Sequence, residues 1–231
     1  MIRERLVREG YAILPHVFGP REVAALTDCV RSAALSSPHV MRSEATYAIR
    51  HAFSEVPCLR KVLADPALLA IVRENLSEKA FVTKSIWFEK PPGGNWFVGW
   101  HQDISISVKE RREVPGYSKW TAKHGVIGVV PPVAILERTL TVRIHLDDAD
   151  GTNGAVRVIP GSHRSGIQQH PGADVDGSLC AVPSGGVMLM RPLLMHASSR
   201  STSDRPRRVL HLEFNDRELG GGLEWAERLD L

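Results

Sequence analysis

The sequence predicts an α+β fold that is mainly β, and three observations point there. Apolar residues recur at helical spacing through the first 80 residues. Beyond them, short alternating runs bounded by glycine and proline take over. No internal repeat or low-complexity linker divides the 231 residues. Helices followed by many strands indicate α+β, with the strands arranged as a sandwich or barrel. The length suits one domain over 1–231, with a helical part at 1–79, a strand-rich core at 80–215 and a tail at 216–231.

Taken in order, Gly10 ends a short amphipathic segment, and Tyr11 to Leu14 reads as a strand stopped by Pro15. Gly19-Pro20 opens a helix, with proline suited to the first helical position. Val23, Leu26, Val30 and Ala33 form its apolar stripe. Asp65-Pro66 opens another in the same way, carrying Leu68, Leu69, Ile71 and Val72. Strands are predicted at 80–89, 101–108, 139–147, 155–160, 186–190 and 207–214. The segments 91–100 and 109–138 read as long loops and candidate lids over a pocket.

Two strands alternate in an informative way. Val142, Ile144 and Leu146 share one face of the first, and Arg143 and His145 the other. In the last strand Arg208, Leu210, Leu212 and Phe214 oppose Arg207, Val209, His211 and Glu213. The expected arrangement packs the apolar faces against the N-terminal helices and turns the polar faces into a ligand-holding interior.

Composition narrows the function classes. A hydrophobic content of 43%, a charged content of 24% and a net charge of +3 suit an ordinary globular protein and give no reason to expect nucleic acid. Arg200, Arg205, Arg207 and Arg208 cluster locally and read as a solvated loop with one functional arginine. Cys29, Cys58 and Cys180 are odd in number and widely spaced, so no disulfide is expected and a reducing compartment is favoured. The opening Met1-Ile2-Arg3-Glu4-Arg5 lacks the apolar centre of a signal peptide, and no run is long enough to span a membrane. The expectation is a soluble cytoplasmic protein with a small-molecule partner.

The chemistry lies in four residues far apart in sequence: His101 and Asp103 in Trp100-His101-Gln102-Asp103, then His196, then Arg207. Two imidazoles and a carboxylate can hold one face of an octahedral Fe(II), leaving three positions for a chelating cosubstrate and dioxygen. An arginine after the last ligand can clamp a carboxylate with two parallel hydrogen bonds. A His-x-acid pair alone is weak evidence: 10 His and 26 acids in 231 residues give about one by chance. There are three, His101/Asp103, His145/Asp147 and His211/Glu213; the last has no histidine downstream, while the second could also use His196. A His-x-Asp on a regular strand places both side chains on one face.

Several further pieces carry a resemblance. Trp100-His101-Gln102-Asp103 is followed by Asn153-Gly154 and Val158-Ile159-Pro160-Gly161-Ser162-His163. Pro192-Leu193-Leu194-Met195-His196-Ala197-Ser198 and Arg207-Arg208 come next, and Gly10 to Leu14 precedes them all. In that order they resemble the phytanoyl-CoA dioxygenase (PhyH) family of Fe(II)- and 2-oxoglutarate-dependent oxygenases. The resemblance implies a double-stranded β-helix, the cupin-like jelly roll, with N-terminal helices on its outer face. It selects His101 over His145, since the family's proximal pair lies before the Asn-Gly and Pro-Gly-Ser-His segment on an earlier strand, and His145 falls on the intervening strand. It implies His101, Asp103 and His196 as iron ligands and catalytic centre, Arg207 for the distal carboxylate of 2-oxoglutarate, and Ser198 assisting.

The same resemblance implies Fe(II), 2-oxoglutarate and O2 as cofactor and cosubstrates, with ascorbate as a stimulant. The implied reaction hydroxylates an unactivated C–H bond and releases succinate and CO2. Asp103 argues against halogenation, because related halogenases replace this carboxylate with a small residue. Desaturation or cyclisation by the same iron chemistry, and a non-catalytic metal- or ligand-binding jelly roll, are the rival readings. Lys84, Arg143, His145 and His211 are candidate substrate contacts, with Glu213 and Ile86 beside them; the polar ones equally suit a buried supporting network. Arg143 departs from an aromatic expected on its strand, and His163 reads as a loop anchor.

Overall fold

The computed structural model describes residues 1–33, 40–42, 47–90, 97–123, 125–168 and 175–231. The first half contains α1 (Ile2–Glu9), β1 (Tyr11–Leu14), α2 (Pro20–Ser32), β2 (Val40–Arg42), β3 (Tyr47–Arg50) and α3 (Ala52–Glu55). A 3-10 helix (Pro57–Ala64), α4 (Pro66–Asn75), β4 (Phe81–Lys90), β5 (Val98–His101), β6 (Ile106–Val108) and β7 (Ser118–Lys123) follow. Then come β8 (Val126–Val130), α5 (Val133–Glu137), β9 (Leu140–His145), β10 (Val156–Val158) and β11 (Ser178–Leu179). The chain closes with β12 (Val187–Met190), β13 (His196–Ser198), β14 (Arg207–Asn215) and β15 (Leu229–Asp230).

Local chemistry explains the helix boundaries. Gly10 ends α1 in the left-handed region at φ 83°, its N–H on the Leu6 carbonyl. A Cβ there would stand 2.5 Å from His163 Nδ1, so glycine is needed for packing as well as for the turn. Asp65 caps α4 by accepting from the N–H groups of Ala67 at 2.9 Å and Leu68 at 3.1 Å.

The strands form three antiparallel sheets. The largest runs β1-β12-β9-β14-β4-β3-β2, with β15 added beside β4. The second runs β11-β10-β13-β5, and the third β6-β8-β7. The first two sheets contribute to one cavity, so the core is a jelly roll of the cupin kind, as expected.

The large sheet has two chemically different faces. Its outer face presents Val142, Ile144, Val187, Leu189, Leu210, Leu212 and Phe214 to Leu6, Leu26, Val30, Phe53, Leu59 and Leu68 of the N-terminal helices. This is the predicted packing. Burying each such side chain is worth roughly 1.5–3 kcal/mol, which makes this face the main source of stability. On the inner face Met188 and Met190 meet Val156, Val158 and Cys180 of the second sheet.

The structure corrects four expectations. The first 79 residues are not mainly helical throughout, because β2 and β3 form a hairpin that extends the large sheet. The segment 109–138 is not a long loop: it holds the β7–β8 hairpin and α5, whose apolar residues pack with the tail around Trp225. The predicted strand at 101–108 is broken, since β5 stops at His101 and β6 starts at Ile106. Cys29 and Cys58 are joined as a disulfide between α2 and the 3-10 helix, with Cα atoms 5.8 Å apart. Tertiary packing brings the two cysteines together, and the pairing removes the cysteine argument for a reducing compartment. Cys180 is free and buried. Among the described residues no helix is long and apolar enough to cross a membrane.

The tail is tied into the sheet by one buried acid. Glu227 accepts from the N–H of Ser85 at 3.1 Å and its hydroxyl at 2.5 Å, and lies 3.0 Å from His51 Nδ1. Removing it leaves a buried backbone N–H unpaired, a cost of about 1–3 kcal/mol. Glu227→Ala should therefore lower the denaturant midpoint with an unchanged slope, and Glu227→Gln should lower it less. An Ala variant as stable as wild type would show that the tail does not brace β4.

Candidate active site

His101 and His196 meet because β5 and β13 pair in register, with the two histidines directly opposite. Their ring centroids are 4.1 Å apart. Asp103 lies beyond the end of β5, not on its face as the spacing predicted. Its N–H donates to the Pro192 carbonyl at 2.9 Å, which turns the chain back toward His196. Gln102 reinforces that turn by donating to the carbonyls of Leu193 at 2.6 Å and Gly166 at 2.9 Å. The Asp103 oxygens end 3.8 Å from His101 Nε2 and 3.6 Å from His196 Nε2.

These three residues can hold a metal. Their donor atoms lie within 4.8 Å of one another, and no other such group occurs among the described residues. His101 Nδ1 donates to the Gly99 carbonyl at 2.8 Å and His196 Nδ1 to the Leu194 carbonyl at 2.9 Å. Carbonyls only accept, so each proton sits on Nδ1 and each Nε2 lone pair faces Asp103. Burial first, then the His101 charge, pushes His196 down to about 4 against the pull of Asp103, so the ring is neutral near pH 7. Burial pushes the Asp103 carboxyl up, but His196, His211, His101 and Lys84 together hold it down to about 2. The two imidazoles and the ionised carboxylate, aimed at one point, fit a ferrous ion.

Around them is a cavity of about 650 Å³ lined by both sheets and by the β7–β8 hairpin. Cross-strand pairing arranges the inner face of the large sheet in rows. Arg207 lies opposite Lys90 in one row; His211 lies between Ile86 and Arg143 in another, with Arg50 beyond Ile86; Glu213 lies opposite Lys84 in a third. Lys84, Ile86, Arg143, His211, Glu213, Ser198 and Arg207 all line the cavity.

Arg207 faces inward and Arg208 outward, as the alternation predicted. Arg208 makes a two-point ion pair with Asp147, at 2.8 and 2.6 Å, so Asp147 is committed away from His145. Arg207 is 6% exposed. One of its terminal nitrogens donates to the Gly154 carbonyl, and its Nε has no protein partner. Ser198 Oγ donates to the same carbonyl at 2.8 Å. Burial, then the nearby Arg143 charge, pushes Arg207 down to about 10. Gly154 has φ 75°, and a Cβ there would lie 2.5 Å from the Ser199 carbonyl oxygen and 2.8 Å from Lys90 Nζ.

Four polar side chains deeper in the sheet form one chain. Arg143 donates to His211 Nδ1 at 3.2 Å, and His211 Nε2 then donates to Glu213 at 3.3 Å. Glu213 also accepts from Lys84 at 2.7 Å, and Lys84 reaches the Ser105 carbonyl at 3.2 Å. The expected supporting network is therefore present, and it borders the cavity as well. His145 is buried beside Arg143 and Arg207 but is not part of the cavity wall. Neither of its ring nitrogens has a partner, and burial followed by the two arginines pushes it well below the ordinary histidine range, so it is neutral. His163 Nε2 donates to the Val7 carbonyl at 3.2 Å and anchors its loop to α1.

Sequence reasoning missed Lys90. It is 1% exposed, donates to the Ser199 carbonyl at 3.0 Å, and is pushed down to about 8 by burial and then by Arg207. Counting inward from Lys84 and Ile86 on the same strand would have found it. The β7–β8 hairpin was missed as structure, yet Thr121, Lys123, Val126 and Gly128 bring it to the cavity wall. Of the other candidate lid segment, residues 91–96 lie outside the described residues.

Known proteins agree with this architecture. An L-proline trans-4-hydroxylase from Streptomyces griseoviridis is 26% identical over 250 residues, covering 91% of this chain and 84% of that protein. The structure of EctD from S. alaskensis with 2-oxoglutarate and 5-hydroxyectoine has a TM-score of 0.71 at 22% identity, covering 92% of this chain and 74% of that one. SnoK, a non-heme alpha-ketoglutarate-dependent carbocyclase from nogalamycin biosynthesis, has a TM-score of 0.66 at 18% identity, covering 94% and 83% of the two chains. The sequence pattern of the phytanoyl-CoA dioxygenase (PhyH) family matches residues 6–209. This chain belongs to that family and is an Fe(II)- and 2-oxoglutarate-dependent dioxygenase, with O2 as co-substrate.

Proposed function

We propose that the protein hydroxylates an unactivated C–H bond of a small molecule. One oxygen atom of O2 goes to the substrate and the other to succinate, as 2-oxoglutarate loses CO2. The observation that carries this reading is the Asp103 carboxylate, directed with His101 and His196 at one point. A carboxylate there takes the coordination position that a halide would need. A hydroxylase relative that acts on a small molecule, proline, supports the same outcome.

Each side chain then has a role. His101, Asp103 and His196 would hold the iron. Arg207 receives the distal carboxylate of 2-oxoglutarate, and its unpartnered Nε supplies a donor for it. Lys90 adds a second positive charge beside that carboxylate. Gly154 and Ser198 fix the guanidinium, the first by supplying the carbonyl that accepts from it and the second by donating to that same carbonyl. When bound, iron and 2-oxoglutarate supply the oxidising chemistry through O2. The protein's own task is to orient them and keep other reductants out. The Arg143–His211–Glu213–Lys84 chain holds the floor of the cavity rigid and offers Arg143 and Lys84 to the substrate.

Asp103→Ala should abolish succinate formation and weaken iron binding, measured by metal titration. Activity retained at the wild-type level would remove Asp103 from the ligand set. Arg207→Ala should raise the KM for 2-oxoglutarate by about two orders of magnitude, from lost charge-assisted hydrogen bonds worth roughly 2–4 kcal/mol, while Arg208→Ala should not. If the Arg208 change alone weakens 2-oxoglutarate, the assignment is reversed. With labelled dioxygen, the product should carry one labelled oxygen atom. A product that loses two hydrogens without gaining oxygen would replace hydroxylation by desaturation or cyclisation.

A further inference from the structure

We infer that the substrate carries an anionic group, a carboxylate or a phosphate, and that Arg50 and Lys123 receive it. The inference rests on the oxygenase reading, since it takes the inner end of the cavity as filled by iron and 2-oxoglutarate.

The charge balance of the cavity leads there. Among the described residues its lining includes Arg50, Lys84, Lys123, Arg143 and Arg207 but only two acids, Asp103 and Glu213. A divalent iron, the Asp103 carboxylate, doubly charged 2-oxoglutarate and Arg207 together cancel. Lys84 and Glu213 cancel as an ion pair at 2.7 Å. Arg50, Lys123 and Arg143 remain, all positive, and Arg143 is engaged with His211. Lys90, behind Arg207, has the same sign. A concave wall of one charge concentrates the opposite charge within it.

Arg50 and Lys123 are the two of these that stay free. Arg50 closes β3, opposite Ile86, and lies on the same inward row as His211 and Arg143. Lys123 closes β7, opposite Val126, and comes from a different sheet. Neither has an acid or hydrogen-bond partner among the described residues. Elsewhere on the surface Lys109, Arg111, Arg112 and Arg228 each pair with a glutamate or aspartate. The same cavity wall carries the hydroxyls of Ser107 and Thr121, while Ile86 and Phe88 are apolar. This combination suits a small molecule with an anionic head held by Arg50 and Lys123 and a less polar body reaching toward the triad.

The test uses the protein with ferrous iron and saturating 2-oxoglutarate, without dioxygen and at constant ionic strength, so that the Arg207 end is filled. Binding of inorganic phosphate and of acetate is followed by calorimetry and by the thermal midpoint. At least one anion should bind the wild type in the millimolar range. It should bind at least tenfold more weakly to Arg50→Gln and to Lys123→Gln, and recover in Arg50→Lys. Preference for phosphate assigns a phosphorylated substrate, and preference for acetate a carboxylate. No anion binding to the wild type, or unchanged binding to both variants, overturns the proposal. Titration with 2-oxoglutarate beforehand separates the two readings. Failure of the wild type to bind 2-oxoglutarate overturns the oxygenase reading, whereas 2-oxoglutarate binding without anion binding overturns only this one.

Discussion

The antiparallel pairing of β5 with β13 is the constraint on which the site depends. It sets His101 directly opposite His196, two residues 95 positions apart in the chain. The rings alone would make only a histidine pair. The third donor arrives because β5 stops there and the Asp103 N–H finds the Pro192 carbonyl, four residues before His196. Gln102 then ties the turn to Leu193 and Gly166. Backbone hydrogen bonds, which are costly to leave unmade when buried, therefore determine where the carboxylate points. This is a rigid way to preorganise a metal site, because each ligand is placed by main-chain geometry and each imidazole is further oriented by a carbonyl.

The large sheet has to solve a second problem, the burial of charge. Its outer face is mainly apolar where it meets the helices, and this makes the sheet stable enough to carry a polar inner face. On that inner face charges are matched side to side across the strands. Glu213 sits between Lys84 and His211, and His211 in turn accepts from Arg143. Such matching offsets much of the desolvation cost that isolated buried ions would incur. The matching is incomplete at Arg143 and Arg207, whose Nε atoms lack a partner among the described residues, and at Arg50 and Lys123, which line the same cavity. Polar groups that a protein leaves unsatisfied are open to a ligand, and Arg207, Arg50 and Lys123 all line the cavity.

Glycine and the tail shape the remaining boundaries. Gly154 lets Arg207 and Ser198 share one carbonyl beside Lys90, at a spot where no side chain would fit. Glu227 reaches back to Ser85, which also accepts from the Phe53 N–H, and so links the tail, β4 and the N-terminal helices. The arrangement holds β4 in place, and β4 supplies Lys84, Ile86, Phe88 and Lys90 to the interior.

Features that depend on neighbours along the chain were legible in the residues alone. The alternation of Arg207 to Phe214 assigned Arg207 to the interior and Arg208 to the outside, because successive side chains on a strand must point apart. The caps at Gly10, Gly19-Pro20 and Asp65-Pro66 marked helix boundaries for equally local reasons. The ordered motifs around His101, Gly154, His196 and Arg207 identified the chemistry. The remaining features came from long-range packing. Asp103 leaves its strand because of a carbonyl from a distant segment. Cys29 meets Cys58 because two helices pack. Lys90 and Arg50 join the interior because β4 and β3 take particular neighbours, and a charged hairpin at 118–130 folds over the cavity. Each of these depends on contacts between residues remote in the chain, and the free energy of such a contact exists only once the sheets have assembled.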